Sequence, residues 1–166
     1  MQDFEALFTR YFGRVYRFAR GLTGSDHGAE ELTQQTFFKA LKNLDSFQGR
    51  SDPVTWLCSI AKHEFLNQKR RDRERPFEPD APVFDAAAGS IDADYARREE
   101  ALRLYRHLHA LEEPYREVFM LRVFGELKYG QIAGLFGKTE SWARVTYYRA
   151  KLELRQKMEA EENEGK

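Results

Sequence analysis

Residues 125–154, GELKYGQIAGLFGKTESWARVTYYRAKLEL, restrict the possible folds more than any other stretch of the chain. Tyr129, Ile132, Ala133 and Phe136 recur at i, i+3, i+4 and i+7, which gives a short helix one apolar face. Gly137 stands where that helix must stop, because glycine enters the left-handed region without a steric cost. Thr139 then offers a hydroxyl that can accept a bond from a free N–H of a second helix. The second helix carries Arg144, Tyr148, Arg149 and Lys151, cations interleaved with an aromatic. A short helix, a glycine turn and a longer basic helix make a helix-turn-helix, whose second helix can enter the DNA major groove. A helical hairpin with a solvated basic face would satisfy the same pattern.

The N-terminal part is also helical by period. Phe4, Leu7, Phe8, Tyr11, Phe12, Val15, Phe18, Ala19 and Leu22 follow helical spacing and predict one amphipathic helix over the first twenty-odd residues. Ser25 or Asp26 can cap a second helix running to about Leu44, with Leu32, Thr36, Phe37, Ala40, Leu41 and Leu44 on its buried side. Its wet side shows Glu30, Glu31, Gln34, Gln35, Phe38 and Lys42, and Phe38 is out of place there. After the loop DSFQGRSD, Pro53 opens a third helix with Trp56, Leu57, Ile60, Ala61 and Phe65 as its core stripe. Lys62, His63, Asn67, Lys69, Arg70, Arg71 and Arg73 collect on its outer face and end. An aromatic loop beside a basic helix suits single-stranded nucleic acid, with rings on bases and cations on phosphates. Equally, Phe47 could plug the helix junction.

From Pro76 to about Asp94 the period dissolves into EPDAPVFDAAAGSIDAD, a linker composition. The expected architecture is therefore all-α. Two small helical domains, 1–74 and 96–160, are joined by an acidic linker over 75–95, and a tail over 161–166 frays. The second domain opens with a helix through Leu102, Tyr105, Leu108 and Leu111, followed by one from Pro114 burying Val118, Phe119 and Val123. Charge bears on this division. The chain has zero net charge, which taken alone argues against nucleic acid. Residues 1–71 hold 11 basic and 8 acidic groups, residues 72–96 hold 2 and 7, and residues 97–166 hold 14 and 12. Two basic ends thus flank an acidic middle.

Catalytic and metal chemistry finds little support. His107 and His109 are two apart and so point to different helix faces, with no third ligand nearby. Ser25, Asp26 and His27 are adjacent, which precludes the base–nucleophile geometry of a triad, and capping explains them better. Gly125, Gly130, Gly134 and Gly137 match no phosphate-loop spacing. The single cysteine, Cys58, provides no disulfide framework and no cysteine metal site. No enzyme, cofactor or metal is expected. No apolar run is long enough to span a membrane and Met1-Gln2-Asp3 begins no signal peptide, so a soluble, cytoplasmic protein is expected.

Three stretches in order resemble the extracytoplasmic-function (ECF) sigma factors, the smallest bacterial sigma factors. AEELTQQTFFKAL (29–41) resembles the family's core-polymerase-binding helix. FQGRSDPVTWLCSIAKHEFLNQKRR (47–71) resembles the element that reads and melts the minus-ten region. LEEPYREVFMLRVFGELKYGQIAGLFGKTESWARVTYYRAK (111–151) resembles the domain that reads the minus-thirty-five element. The resemblance implies that Glu31, Gln34, Gln35 and Phe38 face the polymerase. Phe47, Gly49, Arg50 and Ser51 would form a loop accepting a base flipped from the non-template strand, and Lys62, His63, Asn67 and Arg70 would line that strand's path. Arg144, Val145, Tyr148 and Arg149 would face duplex DNA, with Lys138 and Lys151 on phosphates. Implied partners are core RNA polymerase, promoter DNA as duplex and melted strand, and an anti-sigma protein; no membrane insertion is implied.

Several positions depart from the family pattern. His63 and Asn67 stand where many relatives have asparagine and aspartate, and Pro53-Val54 replaces an aromatic-plus-arginine pair. Gln131 replaces the usual glutamate, and Trp142-Ala143 replaces Thr-Val, leaving Trp142 either exposed to DNA or a partner or packed in the turn. A freestanding helix-turn-helix regulator and a helical adaptor binding only protein are the alternatives. The wet face of Glu31, Gln34 and Phe38 separates the sigma reading from the regulator, which has no use for it.

Overall fold

Helix α1 (Phe4–Thr23) starts where the Asp3 carboxylate accepts the Glu5 N–H at 3.1 Å, and stops where Gly24 takes φ 77°. The computed structural model describes residues 3–47, 49, 52–72 and 91–165 of the chain. The remaining helices are α2 (Asp26–Lys42), α3 (Pro53–Arg71), α4 (Ile91–Ala110), α5 (Tyr115–Val123), α6 (Tyr129–Phe136) and α7 (Glu140–Glu164). A 3-10 turn at Leu44–Ser46 follows α2, and the described residues include no strand. The fold is all-α, with α1–α3 in a first domain and α4–α7 in a second.

The first core forms because α1 repeats its apolar residues at helical spacing. Leu7, Tyr11, Val15, Phe18, Ala19 and Leu22 are buried against Leu32, Phe37 and Ala40 of α2 and Val54, Leu57 and Ala61 of α3. Phe8 and Phe12, expected inside, are partly exposed and lie over Phe37 with ring centroids 4.9 and 6.2 Å away. Leu41 was expected inside as well but is 50% exposed. Phe4, at the start of α1, already meets Phe37, so the next turn of α2 runs past the end of α1. Trp56, Ile60 and Phe65 are half-buried at the margin of the core.

In the second domain Tyr105, Leu108, Leu111, Val118, Phe119, Met120 and Leu121 are buried together with Leu127, Ile132, Ala133, Ala143, Ala150 and Leu154. Val123 is exposed instead, because five residues beyond Val118 is about 140° round an α-helix. Helix α4 begins at Ile91, inside the stretch read as linker, whereas residues 73–90 lie outside the described residues. Helix α7 continues to Glu164 through residues expected to fray. Glu161 is held there by His107 at 2.5 Å and by Arg103 at 3.3 Å.

The two domains meet, α1 against α5 and α3 against α6. Arg14 donates to the carbonyls of Gly125 (3.2 Å) and Glu126 (2.9 Å), and Arg17 pairs with the Glu126 carboxylate at 2.8 Å. Glu126 sits at φ 55°, a left-handed backbone costing a non-glycine residue about 1–2 kcal/mol, and these arginine bonds hold it. A Cβ on Gly21 would come within 2.5 Å of the Phe124 ring, so the helix packs directly under that ring. A Cβ on Gly125 would lie 3.5 Å from the Cys58 sulfur. Burial pushes the Cys58 thiol up to about 12. Native protein at pH 8 should therefore resist iodoacetamide, and denatured protein should react fully; mass spectrometry of both samples checks this.

Candidate nucleic-acid and partner interfaces

Helix α2 is oriented by its cap and by its buried hydroxyls. Ser25 accepts the Gly28 N–H at 3.0 Å, and Thr33 and Thr36 donate to the Ala29 and Leu32 carbonyls at 2.6 and 2.7 Å. These bonds let two polar side chains face the core, and they leave Glu31, Gln34 and Phe38 on one exposed face at i, i+3 and i+7. Phe38 is 58% exposed, with the Lys42 ammonium 4.4 Å from its ring centroid. Gln35, four residues after Glu31, borders that face and is half-buried. Its Oε1 accepts the Gln68 Nε2–H at 2.5 Å, which ties α2 to α3. Lys39 and the buried Glu64 make a second polar link between the same helices.

Residues expected to handle the minus-ten strand fall into three groups. Phe47 stacks on Trp56, ring centroids 4.6 Å apart, so in this arrangement it plugs the junction ahead of α3. Gly49 takes φ 67°, a conformation open to glycine, while Arg50 and Ser51 lie outside the described residues. On α3, started by the Asp52 carboxylate accepting the Val54 N–H, His63, Asn67 and Arg70 line one outer face at i, i+4 and i+7. Lys62 is half-buried under the second domain. Its Nζ lies 2.5 Å from Glu117 Oε1 of α5 and 4.7 Å from the Phe136 ring centroid of α6.

The helix-turn-helix forms as its residues predict. Gly137 takes φ 64°, the Lys138 N–H bonds the Ala133 carbonyl at 2.9 Å, and Thr139 Oγ1 accepts the Trp142 N–H at 3.1 Å. At the start of α6, Gln131 Oε1 accepts the Lys128 N–H at 2.9 Å, a role that needs only a side-chain carbonyl. Trp142 is half-buried against Phe136 at 5.3 Å and packs within the turn. Burial of Ala143, Thr146, Ala150 and Leu154 turns Arg144, Val145, Tyr148, Arg149 and Lys151 outward, and Lys138 is exposed beside them. Val145 is 46% and Tyr148 59% exposed. Arg144 is braced by Glu140 at 3.2 Å and lies 5.2 Å from the Tyr129 ring centroid.

Sequence spacing missed the residues that join the domains: Arg14, Glu117 and Glu126. Each is an ordinary surface or helix-end residue by local pattern, and only a partner more than fifty residues away gives it a role. His109 also belongs here. Its Nε2 lies 2.8 Å from the Gly21 carbonyl, which can only accept, so that nitrogen carries the proton. Burial, first of all, lowers its pKa to about 4.

Thr139→Ala should lower stability by about 1 kcal/mol through loss of the cap, read as a lower midpoint in urea. A histidine held neutral in the fold binds its proton more readily when unfolded, so stability must fall as pH drops from about 6.5 towards 4. Melting curves over that range, compared with His109→Gln, should show the pH slope reduced in the variant.

The chain is similar to known sigma factors. Residues 7–75 match the family model of sigma-70 region 2, and residues 101–154 match that of sigma-70 region 4. The RNA polymerase sigma factor YlaC of Bacillus subtilis is 34% identical over 161 residues, covering 93% of this chain and 91% of that protein. The ECF sigma factor SigM of the same organism is 25% identical, covering 97% and 96%. Among solved structures, the sigma factor RpoE of Bartonella quintana, in complex with the anti-sigma factor NepR, shares the fold. Its TM-score is 0.73 over 96% of this chain and 98% of that one, at 24% identity. CnrH, in complex with the cytosolic domain of CnrY, shares it at a TM-score of 0.70 over 95% and 88%, at 22% identity.

Proposed function

We infer function from one premise: this chain belongs to the RNA polymerase sigma factors, in their extracytoplasmic-function group. It binds core RNA polymerase, directs it to specific promoters and initiates transcription. It is a transcription initiation factor, and we assign it no catalysis of its own. Its place of action is the cytoplasm, where the DNA is; none of its described helices is long and apolar enough to cross a membrane.

One observation carries the reading at residue level. The chain pairs an exposed Glu31, Gln34 and Phe38 face on α2 with an outward basic face on α7. A freestanding regulator needs only the second. We assign the α2 face to core polymerase, with Phe38 as the apolar anchor and Gln35 holding α3 in place beside it. His63, Asn67, Arg70 and Lys62 are assigned to the melted minus-ten strand, with Phe47, Gly49, Arg50 and Ser51 as the base-accepting loop. Arg144, Val145, Tyr148 and Arg149 are assigned to the minus-thirty-five duplex, and Lys138 and Lys151 to its phosphates. Control by an anti-sigma protein is part of the proposal, supported by the complex of RpoE with the anti-sigma factor NepR, in which the fold recurs.

Labelled protein should bind core RNA polymerase, and Glu31→Ala/Gln34→Ala/Phe38→Ala should weaken binding about tenfold or more, since anchors of this kind dominate interfaces. No binding by a folded wild-type chain would contradict the reading. With a promoter in hand, Arg144→Ala should cost about 1–3 kcal/mol at one base pair of the upstream element. Lys151→Ala should weaken all promoters alike and lessen the salt dependence. Electrophoretic shifts on single-base-pair variants separate the two.

A further inference from the structure

A cavity of about 560 Å³ lies between the two domains, away from every residue assigned above to polymerase or DNA. Its volume and its place at a domain joint are those of a small-molecule site. Tyr16, Arg17 and Arg20 of α1, with Asp26 and Glu30 of α2, form one wall. Tyr105 of α4 and Phe124 at the end of α5 form the other.

The rings favour a flat occupant. Tyr105 and Phe124 lie 16° from parallel with centroids 6.0 Å apart, and Tyr16 offers a third ring from α1. The charges favour a cation. Arg20, 4% exposed, bonds Asp26 at 2.9 Å, and Arg17 bonds Glu126 at 2.8 Å, so each arginine of the wall has its own carboxylate. Glu30 is different: among the described residues its carboxylate makes no hydrogen bond and no ion pair. Its charge is felt inside the cavity, because burial first, then Asp26 and Glu30, raise the pKa of the Tyr16 hydroxyl. The same wall shows what suits such a place. The Arg20 guanidinium stands 5.0 Å from the Tyr105 ring centroid while it bonds Asp26.

We propose that this cavity binds a planar organic monocation, an amidinium or guanidinium, whose paired N–H groups bond Glu30 while its plane lies against the Tyr16 and Phe124 rings. Two parallel donors match the two oxygens of a carboxylate, which an ammonium cannot do, and a neutral amide lacks the charge. Two sources supply this chemistry: a free small molecule, or an arginine side chain of a partner protein. In either case the occupant touches both domains at once.

The test is calorimetric titration of the full chain at neutral pH and low salt with benzamidine, benzylamine and benzamide. Benzamidine should bind about tenfold more tightly than either of the others, the difference expected for hydrogen bonds to a charged group. Glu30→Gln should weaken benzamidine about tenfold and leave benzamide unchanged. Phe124→Leu should weaken benzamidine about threefold through loss of the ring. Glu112→Gln, which removes an equal charge from an exposed position off the cavity, should change nothing. Circular dichroism checks that each variant keeps its helical content. Agmatine and arginine blocked at both ends separate the sources: binding of the blocked arginine assigns the site to a partner's side chain, and binding of benzamidine or agmatine without it assigns a free molecule.

Absence of saturable binding by benzamidine, agmatine and blocked arginine alike would overturn the proposal. So would benzamidine binding that Glu30→Gln leaves unchanged, which would put the probe elsewhere. Equal affinity for benzylamine would overturn it too, since the paired donors would then have no role.

Discussion

Helix α3 must satisfy two incompatible demands, and the rest of the first domain is arranged around that conflict. Val54, Leu57, Cys58 and Ala61 have no exposure, whereas Lys69, Arg70 and Arg71 leave the same helix in solvent. A domain of about seventy residues has little apolar surface to spare, and the buried part of α3 goes into the α1–α2–α3 junction. The polar links Gln35–Gln68 and Lys39–Glu64 then hold α3 against α2 beyond the reach of the apolar core. A helix pinned this way keeps a fixed relation between the face of α2 that we assign to polymerase and the face of α3 that we assign to DNA. Docking one positions the other.

The second domain meets a milder version of the same demand. Its recognition helix needs a sharp entry and an outward cationic face, which Gly137, Thr139 and the small buried residues Ala143, Thr146 and Ala150 supply. Arg144, Tyr148 and Arg149 then project without help from any other element, except that Glu140 and Tyr129 brace Arg144. The acidic partners matter as much as the cations. Glu117, Glu126 and Asp26 each meet a basic side chain of α1 or α3, so local pairing reconciles zero net charge with the two surfaces proposed to face DNA.

Much of this was legible in the residues because the governing physics is local. The caps at Ser25 and Thr139, the stop at Gly137 and the outward turn of residues 144–151 follow from helical period and single-residue stereochemistry. Phe38 was identified as a wet aromatic by the same reasoning. Errors arose where a residue's environment depends on where another helix ends. Leu41 has the right spacing but lies beyond the start of α1, Val123 is on the wrong side of α5, and Glu161 is ordered by His107 from a distant helix. Gln35 borders the face of Glu31 by helical spacing, but nothing near it in the chain marks Gln68 as its partner. The domain interface was not legible at all, since nothing in the neighbourhood of Glu117 or Arg14 in the chain marks its partner.

The central claim, that this chain gives core RNA polymerase its promoter specificity, is tested most directly by transcription in a purified system. Core enzyme with and without the protein would be given fragmented bacterial genomic DNA, and the 5′ ends of the transcripts sequenced. The account predicts a discrete set of starts that require the protein, each preceded at fixed spacing by shared minus-ten and minus-thirty-five elements. Transcripts that are the same with and without the protein, or protein-dependent starts with no shared upstream sequence, would contradict it.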